Sequence, residues 1–340
     1  PTDGGILLAA RAEAAAAAIA DAFRPYRRGG IGGRAGAERD ISMAQLYALV
    51  ALADGGSYAA GAAAAGVSQP SLHRAVGELE RVCGVALVER RGRGVALSPS
   101  GQRLVRAFRL AMTELQAGLD ELAVLAGRDQ GTIRVAAHPA AMVRLIPAAA
   151  ARFLAEHPPV TIDVEPSGVA DDSGRLREGR IDALIALDGD RLRTEGLAVE
   201  PLLQDPLFVV GRSAHPLAGA ASPGLVRLAG FGWAMPPPGA GERDAWERMF
   251  LDGGLYPPAP GFTGWSTAAL LALVGQSDLL TFASAAVIEQ QPAGRLALIG
   301  EPQLRGRDLV LVTRSSWAPT PAQAAFLDEL RACSREVLEF

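Results

Sequence analysis

The chain has 340 residues, 49% of them hydrophobic, and a formal net charge of −4. This length exceeds one ordinary domain and suffices for two or three, each with its own core. No apolar run reaches the roughly 18 residues of a membrane helix and no secretory signal pattern is visible, so we expect a cytoplasmic protein. The two cysteines, Cys83 and Cys333, lie far apart in apolar helical patterns, which excludes a disulfide framework and predicts no metal site.

Positive charge is unevenly distributed along the chain, and arginine supplies all of it because no lysine occurs. Five arginines and one glutamate lie between Arg24 and Arg39, and Arg90, Arg91 and Arg93 form a second basic cluster. Local basic patches on an acidic chain fit a modular DNA-binding protein, although many solvated surfaces have the same composition. Charge alone therefore leaves both interpretations open.

Residues 1–40 predict an alanine-rich helix followed by an arginine- and glycine-rich flexible linker. Pro1–Gly5 and the helix after it resemble Leu97–Gly101 and the helix after that, with an offset of 96 residues. One hypothesis is that residues 1–40 are the remnant of an upstream DNA-binding module like the one in residues 41–98. The alternative is a plain alanine-rich extension.

Residues 41–98 predict three helices followed by two short strands. Ser42 and Gln45 form a capping box that begins the first helix, and Ser57 and Ser68 cap the next two. The strands flank an arginine- and glycine-rich tip, so the pattern indicates a helix-turn-helix with a wing. The predicted helices cover residues 43–54, 58–65 and 69–83, and the strands cover residues 85–88 and 95–97.

The third helix begins with polar side chains that suit DNA. In a helix-turn-helix the N-terminal end of this helix enters the major groove, where Gln can pair with adenine and Arg with guanine. Arginines of the wing suit the flanking backbone or minor groove. A small helical bundle with ordinary polar caps is the alternative. The residues predicted to contact DNA are Ser68, Gln69, Ser71, His73, Arg74, Arg91 and Arg93.

Two segments, AGVSQPSLHRAVGELE (Ala65–Glu80) and GVALVER (Gly84–Arg90), resemble the DNA-binding signature of LysR-type transcriptional regulators. The likeness covers Ala60–Gly101 without interruption, and Leu97–Gly101 resembles the start of the linker helix in that family. It implies that DNA is contacted by Gln69, Ser71, Arg74 and Arg91. His73 stands where the family usually has serine, so its role stays open between reading a base and lying at the groove edge.

Pro99 to about Leu125 predicts one long helix. Its apolar stripe alternates spacings of four and three residues, as in a coiled-coil seam. A seam requires a partner, so we predict a homodimer through this helix, or a homotetramer as the resemblance allows. The alternative is that the stripe packs on the chain's own C-terminal module. The seam residues are Phe108, Met112, Leu115, Leu119 and Leu122.

Beyond Gly127 strand and helix signals alternate, which predicts parallel strands with crossover helices. Two open sheets linked by crossing strands would leave a cleft, and ligands bind beyond the carboxyl ends of strands in such sheets. The strands are predicted at residues 132–137, 160–165, 181–187, 207–210, 232–235, 279–282 and 309–312. The helices are predicted at residues 142–156, 171–178, 243–251, 267–274 and 321–337.

The C-terminal module carries the resemblance further. Leu176–Ile185 resembles the Gly-x-Ile-Asp segment of LysR-type regulators, and Pro201–Leu217 resembles their crossing into a second lobe. Trp233–Gly239, Trp265–Phe282 and Thr313–Gln323 resemble the galactose-binding-protein-regulator subgroup. The implied fold class is α/β, comprising an N-terminal winged helix-turn-helix (41–98), a long linker and dimerisation helix (99–127) and a two-lobed, type 2 periplasmic-binding-protein-like effector domain. Lobe I is expected at 131–207 and 309–338, and lobe II at 208–308.

The cleft between these lobes is the predicted effector site. Hydroxyls and free N–H groups at helix starts suit a carboxylate or phosphate, and a tryptophan can stack on a sugar or aromatic ring. Each residue also has a structural interpretation as loop packing, core or helix cap. The predicted effector-binding residues are His138, Ser167, Met235, Pro236, Trp265, Ser266 and Thr267.

The sequence therefore predicts a LysR-type regulator of promoter DNA, modulated by a sugar, sugar acid or aromatic acid and acting directly or indirectly on RNA polymerase. An enzyme is the main alternative because fold does not determine function. None of the four histidines lies in a metal-ligand pair or near a Gly-x-Ser-x-Gly elbow. A solute-binding receptor is the other alternative, and the winged helix argues against it. We predict no catalytic residue, metal or cofactor.

Overall fold

A computed structural model describes residues 2–28, 41–91, 94–128, 130–167, 171–188, 192–284, 287–288, 290–300 and 304–337. Most of the predicted Arg/Gly linker lies outside these residues. In the N-terminal part the elements are α1 (Asp3–Arg28), α2 (Met43–Gly55), α3 (Tyr58–Ala65), α4 (Gln69–Cys83), β1 (Val88–Arg91), β2 (Gly94–Leu97) and α5 (Pro99–Leu125).

Helix caps define the helix-turn-helix, as the sequence predicts. Ser42 Oγ accepts a hydrogen bond from the Gln45 amide, and the Gln45 side chain accepts one from the Ser42 amide, which completes the capping box. Ser68 Oγ accepts from the Ser71 amide at 3.2 Å and begins α4. Gly66 has a φ of 65°, a left-handed conformation that glycine adopts without strain. That conformation makes the tight turn between α3 and α4.

The first strand of the wing lies later than predicted. We expected a strand at residues 85–88, whereas β1 covers Val88–Arg91 and pairs antiparallel with β2. The reason is that Glu80 Oε1 accepts hydrogen bonds from the amides of Leu87 and Val88, at 2.8 and 3.1 Å. The segment before Val88 is thereby held by α4, and by Ser98 after β2, whose amide donates to the Leu87 carbonyl at 2.9 Å.

Helix α1 lies antiparallel along α5. A Cβ built on Gly4, near the start of α1, would lie 2.7 Å from Leu122 near the end of α5. A Cβ built on Gly118 would lie 3.1 Å from Arg11 Cβ and 3.3 Å from Leu8 Cδ1. Glycine at Gly118 therefore allows the two helices to approach closely. Further along α1, Phe23 is buried in the core of the winged helix.

The residues predicted to form a dimer seam on α5 have different surroundings in the structure. Phe108 is buried in the winged-helix core, with its ring 5.1 Å from that of Tyr47 in an edge-to-face contact. Met112 packs at the margin of that core, Leu115 is half-buried and Leu122 lies beside α1. Leu119 is 52% exposed. Contact between these residues and a second chain stays a prediction.

The C-terminal part is an α/β unit whose long strands cross between two lobes. Its elements are β3 (Gly131–Ala137), α6 (Pro139–Val143), α7 (Leu145–Glu156), β4 (Val160–Pro166), α8 (Asp172–Arg177), β5 (Ala183–Leu187), β6 (Leu197–Arg212), α9 (Leu225–Ala229), β7 (Ala234–Met235), α10 (Gly241–Asp252), β8 (Phe262–Thr263), α11 (Thr267–Val274), β9 (Thr281–Ser284), β10 (Leu296–Leu298), β11 (Leu304–Arg314) and α12 (Pro321–Val337). The helix predicted at 142–156 is divided into two helices, because the backbone of Arg144 leaves the helical conformation.

The sheet differs from the predicted pair of parallel sheets. Within the described residues one seven-stranded sheet has the order β10-β6-β11-β5-β3-β4, with β9 also paired to β6. Only the pairings of β3 with β4 and with β5 are parallel in this sheet, and the remaining pairings are antiparallel. The reason is the 16-residue strand β6, which is long enough to serve both lobes and joins their sheets into one.

Each lobe has its own core. In lobe I, α7 and α12 cover one face of the sheet, and Phe153 and Phe326 meet there with ring centroids 5.6 Å apart. In lobe II the core is built around Trp233, Trp246 and Phe250. Separate cores on a shared pair of long strands leave the lobes joined mainly through β6 and β11.

Candidate functional site

The exposed end of α4 carries the polar residues predicted to contact DNA. Ser68, Gln69, Ser71, His73 and Arg74 are all exposed there. The opposite side of the helix is buried through Leu72, Val76 and Leu79, each at most 1% exposed. This amphipathic division fixes α4 on the bundle and leaves its N-terminal end in solvent. Arg91 ends β1, its side chain lies outside the described structure, and Arg93 lies wholly outside it.

His73 has a specific neighbour within the bundle. Its ring lies 4.7 Å from that of Tyr58 at the start of α3, with the two planes inclined by 38°. The imidazole is therefore positioned by α3 while it remains exposed. This contact gives His73 a packing role between α3 and α4, and it leaves the ring at the edge of the surface that α4 presents.

Two residues that support the wing had no predicted role. Glu80 holds the backbone before β1, as described above, and Ser98 holds the backbone after β2. Ser98 Oγ donates to the Ala86 carbonyl at 2.7 Å and accepts from the Gly101 amide at 3.1 Å. A Cβ at Gly101 would lie only 2.1 Å from the Leu87 carbonyl oxygen. Both lie in segments that carry the family resemblance, but the bonds of Glu80 to Leu87 and of Ser98 to Ala86 span 7 and 12 positions, so no local pattern reveals them.

Arg109 joins three parts of the chain. Its guanidinium on α5 donates to Asp54 at the end of α2 and to Glu178 after α8. Thr113, one turn further along α5, donates to the Gly179 carbonyl at 3.3 Å. The winged helix, the linker helix and lobe I are thus connected at one point. Sequence patterns do not predict such a connection, because the three partners are distant in the chain.

In lobe I, His138 and Ser167 follow the carboxyl ends of two neighbouring parallel strands. The His138 amide donates to the Ile185 carbonyl at 2.7 Å, and the Ser167 amide donates to the Ala137 carbonyl at 2.9 Å. Both residues are half-buried. The structure therefore brings these two predicted residues to the same edge of the sheet, as expected for a ligand site in an α/β fold.

Lobe II presents a matching edge. Strands β7 and β8 are parallel, so Pro236 and Trp265 follow their carboxyl ends. Trp265 is 73% exposed, and Ser266 caps α11 by accepting from the Ala269 amide at 3.2 Å. Thr267 is half-buried at the first position of that helix. Met235 is fully buried in the lobe II core, so its surroundings favour the packing interpretation over a ligand contact.

The two edges approach one another across the cleft. His138 Nε2 lies 3.7 Å from Oε1 of Glu242 in the first turn of α10. Gln290 Nε2 donates to the Val143 carbonyl at 2.6 Å and forms a second contact between the lobes. Glu242 was absent from the predicted site because its proximity to His138 depends on how the lobes meet. Within the part of the chain that the structure describes, no group of three or more His, Cys, Asp or Glu side chains is arranged to hold a metal ion.

Family models match both halves of the chain. Residues 43–102 match the model described as a bacterial regulatory helix-turn-helix protein of the lysR family. Residues 126–334, more than half of the chain, match the LysR substrate binding domain. The boundary between the two matches falls within α5. No helix among the described residues is both long and apolar enough to cross a membrane.

Two curated relatives are similar over about three quarters or more of the chain, and a third is similar over about half of it. The HTH-type transcriptional regulator GalR from Pseudomonas putida is 29% identical over 279 residues, which cover 80% of this chain and 68% of that protein. The HTH-type transcriptional regulator GbpR from Azospirillum brasilense is 28% identical over 263 residues and covers 76% of each chain. The HTH-type transcriptional regulator PcaQ from Agrobacterium fabrum is 34% identical over 159 residues, 47% of this chain and 50% of that protein.

Solved structures share the fold. The crystal structure of CbnR, a LysR family transcriptional regulator, has a TM-score of 0.60 and 21% identity, and the match covers 86% of this chain and 99% of that one. The crystal structure of ArgP from Mycobacterium tuberculosis has a TM-score of 0.64 and 19% identity, with coverage of 85% and 96%.

Proposed function

The chain belongs to the LysR family of DNA-binding transcriptional regulators, and we propose that it reads its operator with the exposed end of α4 and responds to a small molecule bound between its two lobes. The observation that carries the first part is the amphipathic division of α4. Leu72, Val76 and Leu79 bury one side of that helix, and its N-terminal polar residues are all exposed. A helix fixed in this way can enter a major groove without rearranging its own bundle.

The polar residues of α4 divide into two roles. Gln69 and Arg74 carry the side chains that can bond bidentately to adenine and guanine, so they are the base readers. Ser68 and Ser71, at the N-terminus of α4, position phosphate. Arg91 and Arg93 of the wing grip the flanking backbone or minor groove. His73, packed beside Tyr58, lies at the groove edge and orients the recognition helix.

The effector binds where the carboxyl ends of strands from both lobes face each other. His138 and Ser167 line the lobe I side, and Pro236, Trp265, Ser266 and Thr267 line the lobe II side. The 3.7 Å approach of His138 to Glu242 supports this location, because a ligand there touches both lobes. An exposed tryptophan beside hydroxyl groups suits a sugar, sugar acid or aromatic acid.

Effector binding acts on DNA through lobe closure. A ligand that contacts both lobes favours the closed arrangement in proportion to its differential affinity for the two states. Arg109, bonded to Asp54 and to Glu178, connects that change to the winged helix. The altered presentation of α4 then changes promoter access for RNA polymerase. In this role the chain acts in the cytoplasm and catalyses no reaction.

The decisive experiment is a binding assay of the full chain on its own upstream intergenic DNA, with and without a panel of sugars, sugar acids and aromatic acids. We expect salt-sensitive, sequence-specific binding that at least one compound strengthens, weakens or moves. An unrelated fragment of equal length is the control. Specific binding that no compound alters would overturn the effector proposal, and equal binding to both fragments would overturn the operator proposal.

A further inference from the structure

Helices α1 and α5 begin in the same way. Helix α1 begins at Asp3 and α5 at Pro99, so their starts are 96 positions apart. Thr2 Oγ1 accepts from the Gly5 amide at 3.2 Å, and Ser98 Oγ accepts from the Gly101 amide at 3.1 Å. The offset between these caps is again 96. The repeat seen in the sequence is therefore also a repeat of local structure.

The contacts between the two helices follow the same offset of 96 positions. Leu8 lies beside Gly118 and Gly4 beside Leu122, a register that brings Ala15 opposite Ala111. These two alanines are 96 positions apart, so each is the other's equivalent in the repeat. Both are buried, at 4% and 1% exposure. A local two-fold axis thus passes between equivalent positions, which is the arrangement that two copies of one helix form when they pair antiparallel.

The charges in this contact fit α1 and not a second α5. Arg11 forms ion pairs with Glu114 at 2.7 Å and with Glu121 at 2.5 Å, and all three side chains are largely buried. The position of α5 equivalent to Arg11 is Ala107. If α5 paired with α5 in the same register, Ala107 would therefore replace the guanidinium that now lies between Glu114 and Glu121. An unpaired buried carboxylate is strongly unfavourable.

We propose that α1 is a second copy of the linker helix, which occupies the seam of α5 within the same chain and takes the place of another subunit's helix. Two chains then do not pair α5 with α5. A homodimer or homotetramer of this regulator assembles through other surfaces, such as its effector domains. This inference concerns assembly and stands independently of the operator and the effector.

The first test is an engineered disulfide between the two helices in the full-length chain. Equal amounts of unlabelled and ¹⁵N-labelled Ala15→Cys/Ala111→Cys protein are unfolded, refolded together and oxidised, and the linked peptides are weighed by mass spectrometry. We expect linked peptides in which both partners carry the same label. The statistical share of mixed-label pairs, or no link between α1 and α5, would contradict pairing within one chain. Wild-type protein is the background control, because both native cysteines are buried.

The second test uses single cysteines and does not depend on a disulfide forming between α1 and α5. Ala111→Cys places a thiol at the centre of the seam, and Leu119→Cys places one on the exposed side of α5. We expect a maleimide to label Leu119→Cys at least tenfold faster than Ala111→Cys, and oxidation to leave Ala111→Cys as single chains. A covalent Ala111→Cys dimer would show that α5 pairs with α5. Equal labelling rates would show that nothing covers the seam.

Discussion

Arg11 of α1 and Glu121 of α5 form a buried ion pair, with 2.5 Å between Arg11 Nη2 and Glu121 Oε1. The same guanidinium also donates to the Ala318 carbonyl at 2.9 Å, in the segment before α12. The hydrogen bond with Glu121 raises the pKa of Arg11 above its ordinary value, so the arginine stays charged. One side chain therefore ties α1 to the linker helix and to lobe I.

Removing this arginine is expected to destabilise the chain strongly. Arg11→Met leaves Glu114 and Glu121 buried without their cation, a change that costs about 3–5 kcal/mol when a buried pair is broken. The measurement is the free energy of unfolding in urea. Arg24→Met is the control, because Arg24 forms an exposed pair with Asp21 and such pairs contribute about 0–1 kcal/mol. Similar losses in both variants would contradict the importance of the buried pair.

The proposed base reader and backbone grip are expected to differ in specificity. Arg74→Ala should weaken binding to the operator by about 1–3 kcal/mol and relax base preference at one position. Arg91→Ala should weaken binding to all DNA sequences by a similar factor and reduce the dependence of affinity on salt concentration. Titrations on the operator and on point variants of it measure both effects.

A matched control for this pair of variants lies on the same recognition helix. Arg81 is exposed in the last turn of α4, away from the N-terminal end, so Arg81→Ala should change affinity little. Uniform loss of affinity in both Arg74→Ala and Arg91→Ala would show that the division into a reader and a grip is wrong.

His215 is expected to make lobe II sensitive to mild acid. Its Nδ1 accepts from the Leu217 amide at 3.1 Å, and its Nε2 lies 3.3 Å from the Asp278 carbonyl oxygen. This arrangement requires the neutral ring, and burial lowers the pKa of His215 below 6.5. A lowered folded-state pKa contributes stability above the unfolded value, and that stability is lost as the pH falls through the folded value.

The corresponding measurement is the free energy of unfolding of wild type and His215→Gln as a function of pH. In wild type it should decline as the pH falls below about 6.5, the ordinary value for histidine. His215→Gln should be less stable at neutral pH and show a shallower decline. Parallel pH profiles for the two proteins would exclude His215 as the source.

The equivalent glycines of the two helix starts are expected to respond differently to the same substitution. Gly101→Ala places a methyl group 2.1 Å from the Leu87 carbonyl oxygen, and such overpacking typically costs about 1–3 kcal/mol. At Gly5 the nearest atom to the added Cβ is Thr2 Oγ1 at 3.3 Å. Gly5→Ala should therefore be neutral, or stabilise α1 by up to roughly 1 kcal/mol. Thermal unfolding of both variants tests this. A loss of stability in Gly5→Ala as large as that in Gly101→Ala would contradict the prediction.

Local signals in the sequence predicted the elements well where a cap or a stripe defines them. The linker helix covers Pro99–Leu125, as predicted. Ser98 and Pro99 begin it, and its apolar stripe ends near Leu125. The three helices of the winged helix likewise follow their serine caps. In each case the determining residues lie within a few positions of the boundary that they set.

Patterns in the sequence did not predict contacts between residues that lie apart in the chain. The hydrogen bonds from the Leu87 and Val88 amides to Glu80 explain why the first wing strand begins later than predicted. The bonds of Arg109 to Asp54 and Glu178 connect the winged helix to lobe I. Met235, the last residue of the strand predicted at 232–235, is expected in the cleft, but it is buried with Trp233 in the lobe II core. The direction of a side chain at a strand end depends on what packs above it, which periodicity does not encode.

A linker helix that carries its own partner is protected from dilution and from exchange. Because both helices belong to one chain, their contact is intramolecular, and its formation does not depend on the concentration of the protein. The contact between α1 and α5 then forms in every molecule, regardless of expression level. Related regulators in the same cell could not capture this helix, so mixed assemblies through the linker would be avoided without any difference in affinity between partners.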